Sequence, residues 1–263
     1  NDIQVSRDET IVYKEQYWLG GWDTKTVEVR RRHETPTLLY DPYDPNPERR
    51  WKLFWATGFA DLSFGQGELE KATFWKFVQI GYKYASSPER LAQSQEILLF
   101  GSSELADCLS PSCRVKFTLN NLHPDLQNAK FYMEPGSLVK DGVIYLTLSA
   151  LISKEELQKT ILIASRDYGE SWEYLGVLTT KDEILPSMPP YPPTERSLLT
   201  SSSLAEENGR IFLLVSPRGT IPKWSGYSGV YIFEFEDIAQ ARLKRDSGGK
   251  LIVHKYLPPI DSE

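Results

Sequence analysis

The stretch Glu134–Val177, EPGSLVKDGVIYLTLSALISKEELQKTILIASRDYGESWEYLGV, decides how the chain is read. Ser137-Leu138-Val139 leads into the turn Lys140-Asp141-Gly142, and the β-forming run Val143–Leu148 follows. After a polar, helix-prone break, Thr160–Ala164 predicts a third strand. Ser165–Trp172 then turns the chain into a fourth, Glu173–Val177. The turns carry the reason for this pattern. Gly takes positive φ without a steric cost, and Asp or Ser side chains accept bonds from the N–H groups of their own loop.

Four short strands with tight turns between them have the size and grammar of one propeller blade. The last turn is the most specific signal. Ser165, Asp167, Gly169 and Trp172 fit S-x-D-x-G-x-x-W, which resembles the Asp box of sialidases and related propellers. In those families the box is structural, so the resemblance implies that Asp167 staples the outer edge of a blade. A catalytic Asp167 is the other reading, and nothing but the box nominates it.

Working outward, the same grammar recurs. Residues 1–30 hold the β-prone pieces Thr10–Tyr13 and Thr26–Val29, separated by a Gly-Gly-Trp turn at 20–22. After Arg30-Arg31-Arg32-His33-Glu34-Thr35-Pro36 comes the strand Thr37–Tyr40, then the loop DPYDPNPERR and the strand Trp51–Thr57. This opening resembles the first blade of five-bladed glycoside hydrolases, in which a Pro-led inner strand runs through a DP-rich loop ending in RR. Phe74–Tyr84 predicts a third strand of that unit, and Glu96–Gly101 with Val115–Leu119 predict a further unit that is harder to delimit.

Pro36-Thr-Leu-Leu, Pro135-Gly-Ser-Leu and Ser201-Ser-Ser-Leu each precede a turn and an aromatic-rich strand. Their spacing matches blades of ~50 residues, with one Pro-rich insertion at 185–196. Tyr231–Phe235 and Leu251–Tyr256 complete the later strands, and Ser153–Lys159 and Asp237–Leu243 are the helix candidates. The expectation is an all-β, five-bladed β-propeller spanning 1–263 as a single domain. A β-sandwich also has many short strands, but it does not explain turn-plus-aromatic strands repeating at blade spacing.

Composition excludes several partners. The formal net charge of −6 argues against nucleic acid. No apolar run approaches the ~20 residues that cross a bilayer, which predicts no membrane span. Aromatics reach 12% of residues, a load that suits sheets and sugar-stacking surfaces alike. Cys108 and Cys113, in CLSPSC, are spaced to close a small disulfide loop, with two unpaired thiols as the alternative. A disulfide implies a secreted or periplasmic protein. No signal peptide is visible, and Asn1 without a preceding Met reads as a mature or trimmed form.

Ligand chemistry in a propeller sits where the inner strands enter the central channel. The residues before each inner strand are Arg32, His33 and Glu34 in the first unit, Tyr132 and Glu134 in the third, and Thr200 and Ser201 in the fourth. Glu34 and Glu134 therefore form the expected carboxylate pair. Glycoside hydrolysis needs one protonated acid at the leaving oxygen and one ionised base activating water, held ~6.5–9.5 Å apart in inverting enzymes. Glu134-Pro135 ahead of a small-residue strand and a D-G turn is similar to the third-blade segment of arabinanase- and xylosidase-type propellers. The resemblance implies that Glu134 is the general acid. Those families carry Asp at the base position, where this chain has His33-Glu34.

Further ligand-binding candidates are His33 and Arg32, Arg218 in Ser216-Pro217-Arg218-Gly219, and the aromatics Trp224 and Tyr227 in KWSGYSG. Each has an ordinary counterpart: a histidine satisfied by its neighbours, a solvated charge run, plain turn packing. No P-loop, dinucleotide glycine pattern, zinc spacing or nucleophile elbow is present, so no cofactor and no metal is expected. The expected ligand is a carbohydrate.

Overall fold

A computed structural model describes residues 6–63, 74–151, 159–184, 198–218 and 229–258. The chain is all-β. It divides into two compact units, Asn1–Leu38 with Asn46–Met133, and Leu39–Pro45 with Glu134–Glu263. Among the described residues the strands make three sheets, of six, four and five strands.

The first sheet runs β1 (Ser6–Gln16), β2 (Trp22–Tyr40), β3 (Trp51–Asp61), β4 (Gln79–Ala85), β5 (Ile97–Gly101) and β6 (Phe117–Thr118), in that order. β1 and β2 pair antiparallel without a register shift, from Gln16 opposite Trp22 to Ser6 opposite Arg32. The two strands expected within 26–40 are one continuous strand of 19 residues. Strand alternation gives each arginine of the Arg30–Arg32 run its own surroundings. Arg30 is exposed and pairs with Asp8 at 2.7 Å, whereas Arg31 is fully buried. Thr35, at φ 49, is a left-handed residue within this strand.

Two other expectations shift. The strand expected over Phe74–Tyr84 begins only at Gln79, after a 3-10 turn at Trp75–Phe77. Phe74 and Phe77 instead meet the ring of Tyr13 edge-on, at 5.4 and 5.7 Å between centroids. Aromatic packing under the first hairpin outweighs their strand propensity. Likewise, Ile97–Gly101 and Phe117–Thr118 form no sheet of their own. β5 adds antiparallel to β4, and β6 adds parallel to β5. Ser, Pro and Asn between and after these two strands take short 3-10 turns at 103–107, 111–113, 119–121 and 124–126, leaving too little extended chain for another hairpin.

The disulfide Cys108–Cys113 is formed. Its loop grips the root of the β1–β2 hairpin. Val12 N–H donates to Ser110 Oγ at 2.7 Å, Leu109 N–H donates to Val12 O at 2.7 Å, and Arg31 Nη2 donates to Ser112 O at 2.7 Å. Ile11, Tyr13, Val29, Phe59, Phe77 and the two cysteines share one buried cluster there.

The second unit contains the stretch Glu134–Val177. β7 (Phe131–Lys140), β8 (Val143–Leu151), β9 (Lys159–Ser165) and β10 (Glu173–Thr180) form a four-stranded antiparallel sheet of neighbours in chain order. β8 and β9 are almost wholly buried, as their unbroken apolar runs require. A short helix, α1 (Lys181–Ile184), follows. The last sheet consists of β11 (Leu198–Glu207), β12 (Arg210–Arg218), β13 (Val230–Asp237) and β14 (Arg242–Leu243), with β15 (Val253–Leu257) also paired to β13. The helix expected over Asp237–Leu243 is only a 3-10 turn at Ile238–Gln240, closed by Ala241 at φ 52. Residues 153–158 of the other helix candidate lie outside the described residues, and Lys159 starts β9. A cluster of Tyr145, Leu162, Ala164, Leu204, Leu213, Val215, Tyr231 and Phe233, among others, fills this unit's core.

The β9–β10 turn is closed by its own side chains. Asp167 Oδ1 accepts from Ser165 Oγ at 2.8 Å and from Ser171 N–H at 2.8 Å, and Asp167 Oδ2 accepts from Ser171 Oγ at 2.5 Å. Ser165 Oγ accepts from Gly169 N–H at 2.8 Å, and Trp172 Nε1 donates to Gly169 O at 3.3 Å. Tyr168 and Gly169 both hold positive φ, at 64° and 99°. Burial pushes the Asp167 carboxyl up, but the bonds from Ser171 and Ser165 outweigh it and hold the group below its ordinary value.

Candidate functional site

Glu134 lies in β7, the inner part of which is buried from Phe131 to Gly136. It is 6% exposed, and its backbone is left-handed, with φ 57. For a residue with a Cβ that conformation costs roughly 1–2 kcal/mol, so tertiary contacts must hold it. One such contact is a hydrogen bond from Ser201 Oγ to Glu134 Oε2, at 2.9 Å. Two residues nominated from the sequence 67 positions apart are thus brought together.

The approach of β11 to β7 that makes this possible depends on small residues. A Cβ on Gly136 would meet Ser202 O at 2.5 Å, Ser203 Cα at 2.7 Å and Thr147 Oγ1 at 2.7 Å. No side chain fits there, so Gly136 is required. Beside it Ser202 Oγ donates to Thr147 Oγ1 at 2.9 Å, and Thr147 Oγ1 donates to Gly136 O at 3.2 Å. This buried hydroxyl relay joins three strands next to Glu134. Sequence reasoning missed Gly136, Thr147 and Ser202, although the run Ser201–Ser203 opposite Pro135-Gly136 is the available signal. It also passed over Asp41 and Asp44 in the DP-rich loop, both only 1% exposed. Tyr43 N–H donates to Asp41 Oδ1 at 3.1 Å.

Tyr132 is placed differently from its expected role. It is fully buried, its hydroxyl donates to Asn120 Oδ1 at 3.2 Å, and it presents no exposed surface to a ligand. Asn120 in turn donates to Ala129 O at 2.9 Å and Gln127 O at 3.1 Å, so Tyr132 anchors the chain leading into β7.

In the first unit, Glu34 is exposed and Arg32 partly buried, and both line a small cleft floored by Phe59 and Val78. Thr57 Oγ1 donates to Arg32 O at 2.8 Å and fixes the arginine's backbone against β3. His33 stacks on Trp55, with centroids 5.6 Å apart and planes 12° from parallel. Burial lowers the His33 pKa; Glu96 opposes that shift, and Arg31, Arg7 and Lys83 reinforce it. The imidazole is therefore neutral at pH 7, able to donate from one nitrogen and accept at the other. Arg31, within the charge run 30–32, is a buried strut. Its Nε donates to Glu9 Oε1 at 2.7 Å, and its guanidinium lies 4.7 Å over the Phe59 ring.

Glu34 and Glu134 belong to different units. Arg218 ends β12 opposite Leu198, and Trp224 and Tyr227 lie outside the described residues. Among the described residues no group of three or more His, Cys, Asp or Glu side chains is placed to hold a metal ion. No helix among them is long and apolar enough to cross a membrane.

No protein-family profile matches the chain, and no curated protein matches it. Among solved structures it is similar to a family 117 glycoside hydrolase produced by the marine bacterium Zobellia galactanivorans. The two are 10% identical, with a TM-score of 0.48 over 97% of this chain and 66% of that one. A Bombyx mori family 32 β-fructofuranosidase is 12% identical, with a TM-score of 0.46 over 91% of this chain and 46% of its own. A Penicillium chrysogenum α-L-arabinanase complexed with arabinobiose is 14% identical, with a TM-score of 0.41 over 92% and 69%. The chain spans 66% of the length of the first of these and 46% of the second.

Proposed function

We propose that the chain is a propeller-type glycoside hydrolase acting on a glycan or oligosaccharide, with Glu134 as the general acid and Glu34 as its partner base. One observation carries the reading. Glu134 is a buried carboxyl on a left-handed backbone, oriented by a serine from another sheet. Backbone outliers of this kind persist where surrounding structure over-determines them, and they concentrate at functional sites. The four-stranded meander β7–β10 supports the blade reading. Its β9–β10 turn has the internal bonding that the Asp-box resemblance implies. The count of five blades rests on repeat spacing, since the described residues supply three sheets. Arg32, His33, Ser201, Arg218, Trp224 and Tyr227 are the proposed sugar contacts. A formed disulfide supports a secreted or periplasmic setting.

A second reading has its own observation. Glu34 is exposed, where an ionised base is usually held by neighbours, and it replaces the Asp that the resemblance leads one to expect. That favours a non-catalytic carbohydrate- or protein-binding propeller of the same ancestry.

Glu134→Gln separates the two. With Glu134 as acid, the variant keeps its fold and glycan binding but loses ~10²–10⁴-fold in turnover on glycans with poor leaving groups. Activated aryl glycosides, which need little protonation, lose far less. Equal losses on both substrate types overturn the acid role. Measurable glycan binding by the parent without turnover on a broad panel establishes the second reading.

A further inference from the structure

The β1–β2 hairpin ends in Tyr17-Trp18-Leu19-Gly20-Gly21-Trp22, and these large side chains are in water. Trp18 is 91% exposed, Leu19 76%, Trp22 56% and Tyr17 50%. From Lys14 to Thr26 every residue but Asp23 is exposed. The last buried residue on β1 is Tyr13, so at ~3.4 Å per residue the turn stands about 10 Å beyond the core. Folding gives no return for exposing two indoles and a phenol together. Contiguous exposed aromatics mark contact surfaces.

The tip is built rigidly. Tyr17 N–H donates to Gly21 O at 2.6 Å and Gly20 N–H donates to Tyr17 O at 2.9 Å, with Gly20 at φ 84. The Tyr17 ring lies 3.5 Å from where a Gly21 Cβ would stand. At the root, the disulfide loop holds Val12 on both its N–H and its C=O. A platform fixed at both ends loses little entropy when it binds.

Its chemistry narrows the occupant. Lys14 and Lys25 are balanced by Glu15 and Asp23, and Lys25 pairs with Glu15, so the tip is electrically neutral. A neutral tip offers no attraction to phosphates, nucleic acid or anionic lipid. Insertion into a bilayer would draw the Glu15 and Asp23 carboxylates toward hydrocarbon, which is costly. A second copy of the chain needs some 20–30 residues a side for a stable interface, and this turn offers six. Flat rings beside a carboxylate instead suit a ligand that is uncharged, with apolar C–H faces and hydroxyl edges.

We infer that the aromatic tip Tyr17–Trp22, with Asp23, is a docking site for an uncharged polysaccharide. The rings of Trp18 and Trp22 stack on sugar faces, and the Asp23 carboxylate accepts from ring hydroxyls. The site is independent of Glu134 and stands or falls separately from the proposed hydrolysis.

The experiment is retention of the full chain on insoluble cellulose, mannan and β-1,3-glucan, comparing the parent with Trp18→Ala and Trp22→Ala. Each tryptophan substitution is expected to weaken retention about tenfold, the scale of losing an aromatic anchor, with an unchanged melting temperature because both rings are exposed. No retention of the parent on any of the three polymers overturns the inference, as does retention indifferent to both tryptophans. Partition onto phosphatidylcholine vesicles, or self-association in sedimentation, that replaces polysaccharide retention and vanishes with Trp18→Ala overturns it in favour of a lipid surface or a second copy.

Discussion

Two hairpin turns of this chain use nearly the same residues to opposite ends. The β9–β10 turn combines Asp167, Gly169 and Trp172; the β1–β2 turn combines Gly20, Gly21, Trp22 and Asp23. In the first, Trp172 is 7% exposed and its Nε1 is bonded back to the turn. In the second, Trp22 is 56% exposed and Trp18 stands almost free in water. The difference lies in where the carboxylate's acceptors are spent. Asp167 takes bonds from Ser165 and Ser171 of its own loop and winds the chain into a cap over the indole. Asp23 lies after its turn, where it accepts from the next residue's N–H and leaves both indoles outside. Tryptophan near a turn is therefore mortar or contact surface according to whether the turn's own hydrogen bonds close over it.

The largest effect expected from breaking this contrast is on stability. Trp172→Ala should destabilise the fold by about 3–5 kcal/mol, the usual cost of deleting a buried Trp. Trp18→Ala should change it by less than about 0.5 kcal/mol, as for an ordinary surface site. Chemical denaturation of the two variants beside the parent measures both, and similar midpoints would erase the distinction.

Next in size is the clamp at the root of the exposed hairpin. Reducing Cys108–Cys113, or replacing both residues with Ser, should cost about 2 kcal/mol for a loop this short. Hydrogen exchange should accelerate at Val12 and Leu109, whose amides bond across that loop, while the β9–β10 turn stays protected. Uniform acceleration in both turns would show that the clamp is not local.

The smallest effect expected is the response to acid. The Asp167 carboxyl is held low by its turn, and Glu234 is held at about 2 by hydrogen bonds from Arg210 and Lys244. Both pKa values are depressed in the folded state. Their stabilisation is full above the ordinary carboxylate range and fades as pH falls through the folded values. The melting temperature should decline from roughly pH 4.5 toward pH 2, and Asp167→Asn should remove part of that decline. A variant whose acid profile matches the parent's would count against Asp167 as a closing group.

Sequence alone determined the hairpins of the second unit, because each rests on local chemistry. Apolar runs bounded by Asp-Gly and Ser-x-Asp-x-Gly turns specify strand and reversal within a few residues. The all-β class and the short disulfide loop were legible for the same reason. Glu134 and Ser201 could be nominated separately by their positions ahead of repeated strands. What joined them is Gly136, which lets β11 approach β7, and no local rule gives that distance. Tertiary structure alone also decided that Arg31 is buried while Arg30 is exposed, since the opposing strand and the Ser112 carbonyl come from far along the chain. It placed 97–101 and 117–118 on the edge of the first sheet, because a short strand's partner depends on which edge is open when it arrives. It turned Tyr132 into a buried anchor, because only the folded chain brings Asn120 to its hydroxyl. Local hydrogen bonds are encoded in neighbouring residues. Burial and strand pairing are set by segments that sequence proximity does not connect.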